Sequence, residues 1–243
     1  MNKYLSIILN INGLNASIKR DEIAEWIRKD NPYKYILQET HLRTKYLHRL
    51  KVKGWKKIFH ANDRKQKARA AILISDKIDF KTKAVKRDPA GPFIILKGRI
   101  HQEVLTILNI YIPNIGAPKY IRKILEGVTK HIDSNTLTVG DFNTQVSTMD
   151  RSSKQINNVY IETLNNTLHY MDLIDIYRNF HPKEAKYTLF SNTHGTLSKI
   201  DHMERYKTSL KIFKKIKITS SIFLDHNLFF SRKNLKNIQI HGD

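Results

Sequence analysis

The sequence predicts a layered α/β domain built on mixed β-sheets. Apolar runs of strand length alternate with amphipathic helical segments, and two of the strand-like runs are separated by only two residues, as in a hairpin. The chain has 243 residues, of which 40% are hydrophobic and 27% charged, enough for a substantial core. We therefore expect one domain over residues 1–230 and a polar tail over residues 231–243, with no internal repeat or linker.

The first half of the chain begins with a predicted buried strand at Tyr4–Ile11, followed by an amphipathic helix at Arg20–Asp30. Pro32 ends this helix. Its inward face carries three apolar residues: Ile23, Trp26 and Ile27. Further strands are predicted at Tyr33–Glu39 and Arg69–Ser75.

The second half opens with the predicted hairpin, in which Phe93–Ile100 and Glu103–Ile112 flank His101 and Gln102. Three elements follow: a helix at Ala117–Ile132, a short strand at Thr136–Gly140 and a helix at Val159–Leu173. The first of these helices has Pro118 near its start, where proline is favoured. It turns three apolar residues inward: Ile121, Leu125 and Val128.

The charge balance predicts a polyanionic partner. Lys and Arg number 43 against 22 acidic residues, which gives a formal charge of +21 and a pI near 10.0. Such a charge attracts nucleic acid first and an anionic membrane surface second. The basic residues are spread along the chain, as in KVKGWKK and DRKQKARA, and are not gathered into one amphipathic helix, which favours nucleic acid.

Cysteine is absent, so disulfides and thiolate chemistry are excluded and a zinc site is disfavoured. We expect a reducing location, the nucleus or the cytoplasm. No stretch approaches the eighteen consecutive apolar residues of a membrane span. The apolar start, MNKYLSIILNINGLN, has no small-residue cleavage site and is interpreted as a first core strand, not as a signal peptide.

Polar residues that can hold a metal or a phosphate stand at the ends of most predicted strands. They are Asn10, Glu39, Tyr111, Asn114, Asp141 and Asn143, followed late in the chain by SKIDH (198–202) and LDH (224–226). Each has a structural alternative when taken alone. Asn10 suits a turn before Gly13, and Glu39 suits the cap of a helix-like segment. Asp141 and Asn143 together suit an Asx-turn.

Seven segments in a fixed order resemble a known family. The segments are LNINGLN, LQETHL, NIYIPNIGAP, GDFNT, YTLFS, SKIDH and the DH at 225–226. Together they are similar to the exonuclease–endonuclease–phosphatase superfamily, and within it to the endonuclease domain of LINE-type retrotransposon polyproteins. The resemblance covers Tyr4 to His226. It implies a DNase-I-like fold, with two packed mixed β-sheets flanked by helices in a four-layer α/β sandwich.

The resemblance also implies a Mg²⁺-dependent phosphodiester hydrolase, with Mn²⁺ able to substitute. A divalent cation polarises the phosphate and activates water, and hard oxygen ligands suit Mg²⁺. The residues carried over as metal ligands are Glu39, Asn10 and Asp225. Those carried over as catalytic groups are Asp141, Asn143, His226, Asp201 and Tyr111.

Their implied roles follow the chemistry of phosphodiester hydrolysis. Asp141 is the acid–base carboxylate, and Asn143 holds the attacking water or a phosphate oxygen. His226 donates to the phosphoryl oxygen while Asp201 fixes its tautomer and charge. Tyr111 contacts phosphate oxygens or the leaving group.

The resemblance implies a double-stranded DNA partner contacted by Asn114, Arg151, Thr188 and Ser198. Thr188 begins TLFSNTHGTL, similar to a family hairpin that enters the DNA groove and prefers a deformable step. An exposed salt bridge is the alternative for Arg151. We expect a monomer that nicks one strand to prime retrotransposition; the reverse transcriptase that relatives carry on the same polypeptide is not in this sequence.

Three departures from the family pattern bear on activity. Leu224 stands where the family has Ser before Asp-His, and Arg69 stands where it favours Gly. Glu204 and Arg205 fall where a core strand is expected, which predicts that this strand is displaced or exposed because a buried unpaired charge is costly. The departures motivate one alternative to a nicking enzyme, an inactive DNA-binding pseudo-enzyme. A second alternative, within the enzyme class, is an abasic-site repair nuclease or a phosphatase of the same superfamily.

Overall fold

The computed structural model describes residues 6–43, 52–62, 67–113, 117–153, 158–191, 195–220 and 226–233. Within these ranges the chain forms two six-stranded mixed sheets, a two-stranded hairpin and four α-helices. The predicted fold class is confirmed: the two sheets pack against each other and helices flank them. No described helix combines the length and the apolarity that a membrane crossing requires.

The first sheet contains the N-terminal and C-terminal strands of the described chain. Its strands are β1 Ser6–Asn10, β2 Lys34–Arg43, β3 Lys57–Asn62, β4 Lys67–Ile74, β13 Phe213–Thr219 and β14 Leu228–Lys233. Their order is β13-β14-β1-β2-β4-β3. Only β1 and β2 are parallel among the described pairs, so both end at the same edge.

The second sheet is built from the middle of the chain. Its strands are β5 Phe80–Arg87, β6 Phe93–Ile100, β7 Glu103–Tyr111, β8 Thr136–Asp141, β9 Leu173–Asp175 and β12 Asp201–Tyr206. Their order is β5-β6-β7-β8-β12-β9, with β7 and β8 parallel. The separate hairpin pairs β10 Leu189–Ser191 with β11 Thr196–Ser198. The predicted turn at His101 and Gln102 joins β6 to β7.

Helices cover the outer faces of both sheets and complete a four-layer arrangement. They are α1 Ser17–Asp30, α2 Ala117–Val128 and α3 Asn158–Tyr170, whereas the short α4 Ile176–Phe180 packs Ile176 and Tyr177 into the apolar cluster between the sheets. Ile23 and Ile27 of α1 pack on the first sheet. Helices α2 and α3 pack on the second sheet through residues such as Ile121, Leu125 and Leu164. A third apolar cluster fills the space between the sheets.

Several boundaries differ from the sequence-based ones, and at two of them sheet pairing overrides the local sequence pattern. Helix α1 begins at Ser17, three residues earlier than expected. Helix α3 ends at Tyr170, and Leu173 pairs into β9 instead of extending the helix. Strand β14 runs to Lys233, past the expected boundary at residue 230, because it lies between β1 and β13. Residues 234–243 lie outside the described ranges.

The expectation that Glu204 and Arg205 displace or expose their strand is wrong. Strand β12 is regular and central, and Glu204 and Arg205 are 0% and 4% exposed. Arg205 donates to the Ser134 carbonyl at 3.1 Å and lies over the Phe213 ring. Burial and the nearby charge of Asp175 raise the pKa of Glu204 well above its usual range. A protonated Glu204 avoids the cost of a buried, unpaired carboxylate.

A buried amide bridge ties the two sheets together. Gln38 Nε2 of β2 donates to Asn109 Oδ1 of β7 at 2.9 Å. Asn109 Nδ2 in turn donates to the carbonyls of Leu37 at 3.0 Å and Ala71 at 3.2 Å. Both side chains are fully buried. Because β2 and β7 both end at the same rim of the sandwich, this bridge fixes the relative position of the two strand ends there.

Gly140 provides a test of the packing next to that rim. It pairs with Ile110 across the parallel β7–β8 ladder, and a Cβ at Gly140 would lie 2.1 Å from the Ile110 carbonyl oxygen. We expect Gly140→Ala to lower the unfolding free energy by about 3 kcal/mol, since the backbone must separate to admit the methyl group. Urea denaturation measures this.

Gly127→Ala is the matched control. Gly127 lies exposed in α2, and no atom lies within 4 Å of the added Cβ. The substitution should be neutral or stabilising by up to about 1 kcal/mol, because alanine is the better helix former. Equal effects of the two substitutions would contradict the close approach of β7 and β8.

Candidate active site

Three adjacent strands place a row of polar residues at one rim of the sandwich. Asp141 ends β8, Tyr111 lies opposite it on β7, and Asp201 lies opposite it on β12. The two carboxylates are each 2% exposed. Opposed residues in an antiparallel pair have Cβ atoms about 5 Å apart, so register alone brings Asp141 and Asp201 together.

Amide groups from both sheets fix the Asp141 carboxylate. Asn10, at the end of β1, donates from Nδ2 to Asp141 Oδ2 at 2.7 Å. The backbone N–H of Asn143 donates to Asp141 Oδ1 at 2.9 Å. Asn10 Oδ1 accepts from the Asn12 N–H at 3.0 Å, which orients its amide. Asn143 has φ of +47° and donates from Nδ2 to the Ile112 carbonyl at 2.6 Å.

Asp201 forms the second half of the site with His226. Asp201 Oδ2 lies 2.7 Å from His226 Nδ1, and His226 forms a bridge with Leu189 just before β14. Thr188 fixes the backbone at the start of β12, because its Oγ1 accepts hydrogen bonds from the N–H groups of Ile200 at 3.1 Å and Asp201 at 3.2 Å. The Asp–His pair therefore joins the two sheets across the rim.

Glu39 comes from an irregular stretch of β2. Its φ is +50°, and the pairing of β2 with β4 is interrupted between Gln38 and Leu42. The Glu39 carboxylate lies close enough to the Tyr111 hydroxyl to raise its pKa. Backbone strain of this kind persists where the surrounding structure enforces it. Here it turns Glu39 toward the row of Tyr111, Asp141 and Asp201.

The pKa shifts follow from burial and from the crowding of carboxylates. Burial, reinforced by the charge of Asp201, raises the pKa of Asp141 well above its usual range. Burial alone would lower the pKa of His226, but the Asp201 carboxylate outweighs this and raises it to about 9, with Asp141 and Glu39 contributing. Burial and the Glu39 carboxylate also raise the pKa of Tyr111. At neutral pH the imidazole is therefore an imidazolium and the phenol keeps its proton.

The donor atoms at the rim fit a divalent cation. One carboxylate oxygen from each of Asp141 and Asp201 and one ring nitrogen of His226 lie within 4.8 Å of one another. Because a protonated His226 cannot coordinate a cation, the carboxylate oxygens are the available ligands of this group. Asp201 Oδ1 is buried and has no hydrogen-bond partner among the described residues. Carboxylate oxygens that are close together and incompletely hydrogen-bonded are stabilised by a hard cation. Glu39 is not part of this group, although its charge is close enough to raise the pKa of Tyr111, Asp141 and His226.

The structure brings together most, but not all, of the residues that the sequence singled out. The rim contains Asn10, Glu39, Tyr111, Asp141, Asn143, Asp201 and His226. Asn114, Leu224 and Asp225 lie outside the described residues, so their implied contributions stay predictions. Arg151 lies nearby, where it bridges to Ser198 and donates from Nε to Ser153 Oγ at 2.9 Å.

Direct DNA contacts by Thr188 and Ser198 do not fit their positions. Thr188 is 0% exposed and its hydroxyl already accepts two backbone N–H groups. Ser198 is 8% exposed at the base of the β10–β11 hairpin, where its carbonyl accepts from the Thr188 N–H at 2.9 Å. These two residues anchor the hairpin and the start of β12. The exposed side chains of the described hairpin are instead Phe190 and Leu197.

A buried charge network behind the rim was not predicted from the sequence. Its members are Asp150, Asp175, Arg178, Lys199, His202 and Glu204. Lys199 is 0% exposed and pairs with Asp175, and Arg178 pairs with Asp150. Lys199 Nζ also lies 2.9 Å from His202 Nδ1. Although burial alone would raise the pKa of Asp175, Lys199 and His202 hold it below its usual range.

This network supports the loop that follows Asp141. His202 Nε2 donates to the Thr144 carbonyl at 2.8 Å. Asp150 Oδ2 accepts from the N–H groups of Val146 at 3.2 Å and Ser147 at 2.9 Å. The Lys199 N–H donates to the Asp150 carbonyl at 2.7 Å. Lys199 and His202 lie within SKIDH, close to Asp201. The signal that could have revealed the network is the alternation of side chains along a strand, which places His202 on the face opposite to Asp201.

Comparisons with known proteins agree with the fold and with the superfamily that the sequence resembles. The model of the Endonuclease/Exonuclease/phosphatase family matches residues 7–237. The endonuclease domain of TRAS1, a telomere-specific non-LTR retrotransposon, has a TM-score of 0.73 at 16% identity, covering 96% of this chain and all of that one.

Two further solved structures share the fold. The AP endonuclease LMAP from Leishmania major has a TM-score of 0.76 at 13% identity, covering 95% of this chain and 88% of that one. The 3′ phosphatase NExo from Neisseria, bound to a product DNA hairpin, has a TM-score of 0.75 at 17% identity, covering 94% and 98%.

The Asp201–His226 pair predicts a specific pH dependence of stability. Because folding raises the pKa of His226 from 6.5 to about 9, the wild type gains stability that is full below pH 6.5 and is lost as the pH rises through about 9. The gain over His226→Gln should reach roughly 3 kcal/mol. Urea denaturation across this range without divalent cations measures it.

The exposed His169 of α3 supplies the control for this experiment. His169→Gln should follow the wild-type profile. A His226→Gln profile parallel to that of the wild type would show that the Asp201–His226 pair does not retain the proton.

The buried network predicts a strong dependence on Lys199. Lys199→Met should lower the unfolding free energy by about 3–5 kcal/mol, because it leaves buried carboxylates without their cation. Lys97→Met is the control, since Lys97 forms a half-exposed pair with Asp133 at 3.4 Å worth about 0–1 kcal/mol. Similar losses in the two variants, measured by urea denaturation, would contradict the network.

Proposed function

The chain belongs to the endonuclease/exonuclease/phosphatase family, and on this premise we propose that it is a Mg²⁺-dependent DNA endonuclease that nicks one strand of a duplex. One observation carries the proposal most directly. Asp141, fixed by Asn10 and Asn143, stands opposite Asp201, which is paired with His226 at 2.7 Å. This set combines a proton acceptor, an imidazolium and a cation site within one rim.

Each side chain has a role that follows from its contacts. Asp141 accepts the proton of the attacking water once a cation offsets the burial that favours its neutral form. His226 donates to Asp201 from Nδ1, so its Nε2–H is available to a phosphoryl oxygen. The positive charge of His226 stabilises the negative charge that develops on phosphorus. Tyr111 remains protonated and donates a hydrogen bond to a phosphate oxygen or to the leaving oxygen.

Magnesium is the cation that fits the donor set best. Asp141 and Asp201 would hold it through carboxylate oxygens, the ligands that Mg²⁺ prefers, and Glu39 is the further carboxylate that the sequence resemblance assigns to this site. When bound, the ion polarises the phosphate and lowers the pKa of coordinated water. Removal of divalent ions with a chelator is expected to abolish hydrolysis while leaving DNA binding measurable.

The charge of the chain and the properties of its relatives support a DNA substrate. A net charge of +21 favours a long polyanion over a small phosphate ester. The endonuclease domain of a non-LTR retrotransposon shares the fold, and on this basis we propose that the nick leaves a 3′-hydroxyl for target-primed reverse transcription. We propose further that the protein acts as a monomer in the nucleus or the cytoplasm, and that a reverse transcriptase of the kind its relatives carry extends the nick.

Abasic-site cleavage is the second candidate, because an AP endonuclease has the same fold. An inactive DNA-binding protein is disfavoured by the retained Asp201–His226 pair and the hydrogen-bonded Asp141. Plain and abasic duplexes of one sequence separate the two enzymatic candidates. Preference for the plain duplex supports the retrotransposon-type endonuclease, and cleavage confined to the abasic duplex supports repair.

Nicking of supercoiled plasmid in Mg²⁺ tests the proposal. Asp141→Asn should reduce the rate by about 10²–10⁴-fold, the contribution expected of a general acid–base group. Glu39→Gln should raise the Mg²⁺ concentration needed for half-maximal rate, since it removes a carboxylate from the cation site. The nicked product should be extended directly by a DNA polymerase.

Asp133→Asn serves as the control for charge and for folding. Asp133 is half-exposed and lies just before the start of β8, whereas Asp141 lies at the end of that strand. This variant should nick at the wild-type rate. The proposal fails if folded wild-type protein does not nick plain DNA in Mg²⁺, or if Asp141→Asn nicks as fast as Asp133→Asn.

A further inference from the structure

Arg69 adds a cation to the rim at a position where the sequence resemblance favours Gly. Its guanidinium carbon lies 5.7 Å from the centroid of the Tyr111 ring, over the ring face. Arg69 is half-buried near the start of β4, beside the end of the sandwich that carries Asp141. A cation over an aromatic face is attracted by the ring and held in place.

A double irregularity in the sheet directs Arg69 toward Tyr111. Against β2, the register of β4 passes from Ala70, opposite Gln38, to Ala68, opposite Leu42. Against β3, it passes from Ala70, opposite Ala61, to Ala68, opposite Asn62. Arg69 therefore occupies a bulge in both ladders. Bulges change the direction of a side chain and are common next to active sites.

The same irregularity carries Glu39, so Arg69 and the candidate metal ligand share one distorted patch. Glu39 and His41 both have positive φ, at +50° and +47°. Thr40 Oγ1 donates to the Ala68 carbonyl at 2.5 Å, which pins β2 to β4 next to Arg69. The position of the guanidinium is thus fixed by the backbone as well as by the Tyr111 ring.

The charges around Arg69 define what it can bind. Its positive charge opposes the burial that raises the pKa of both Tyr111 and Tyr120, so it lies near both phenols. Among the described residues that form the rim, the other charged groups apart from His226 are the carboxylates of Glu39, Asp141 and Asp201. A guanidinium presents a planar set of N–H donors that fits phosphate oxygens, and its stacking on Tyr111 reduces the entropy lost on binding.

We infer that Arg69 binds a backbone phosphate of the DNA substrate beside Tyr111, as a substrate-binding residue that this chain has added to its site. This inference rests on the proposed function for its substrate class. According to this inference, Arg69, which departs from the family pattern, adds a contact with the substrate.

Binding to a short fluorescent duplex, measured with Ca²⁺ in place of Mg²⁺ at several salt concentrations, tests the inference. Arg69→Gln should weaken binding about tenfold and reduce the slope of log K against log salt by about 1, as expected for one lost phosphate contact. Arg69→Lys should restore the slope but only part of the affinity, since lysine keeps the charge and loses the planar donor set.

Arg99→Gln is the matched control, because it removes the same charge from the far end of the sandwich. Arg99 is exposed beside the β6–β7 turn and donates to the Gln102 carbonyl at 3.4 Å. Its substitution should leave affinity and salt slope unchanged. Equal effects of Arg69→Gln and Arg99→Gln, large or small, overturn the inference. Thermal unfolding of Arg69→Lys and Arg69→Gln shows whether each variant is folded.

Plasmid nicking by the same preparations separates this inference from the proposed function. Wild-type protein that binds the duplex but does not nick contradicts the endonuclease while leaving the Arg69 comparison valid. Wild-type protein that nicks, with Arg69→Gln binding like Arg99→Gln, contradicts only the role of Arg69.

Discussion

Two carboxylates face each other inside this protein, and the rest of the rim is arranged around their repulsion. Asp141 and Asp201 lie in register on neighbouring strands and are almost fully buried. Like charges at this separation cannot both remain ionised without compensation. Asn10 donates to the first carboxylate and His226 to the second, and both come from the opposite sheet. The repulsion is therefore relieved only when the two sheets are packed together.

The buried charge network behind the rim, which contains its own cations, supports this arrangement. Lys199 and Arg178 neutralise Asp175 and Asp150, and His202 holds the loop after Asp141. Buried ion pairs contribute less to stability than well-packed apolar residues of the same volume. Ion pairs are directional, however. The loop that carries Asn143 at a positive φ depends more on contacts that fix its orientation than on additional packing stability.

Structure could be predicted from the sequence where chemistry or strong periodicity constrains the residues. It could not be predicted where strand pairing and contacts between distant segments determine the structure. The order of motifs predicted the meeting of Asn10, Asp141 and His226, and the hairpin between β6 and β7 followed from its two-residue turn. Strand β5 was missed because most of its side chains are exposed at a sheet edge. The burial of Glu204 was mispredicted because its neutral form depends on partners remote in sequence, which no local pattern records.

Strand β12 presents successive residues to opposite sides of its sheet. Asp201 turns toward His226 of the other sheet, and His202 turns toward Thr144 and the outer layer. A shift of one position exchanges the two faces of a strand completely. A one-residue insertion or deletion just before this strand would thus disrupt the Asp201–His226 pair and the contact of His202 with Thr144 together, whereas point substitutions would disrupt them separately.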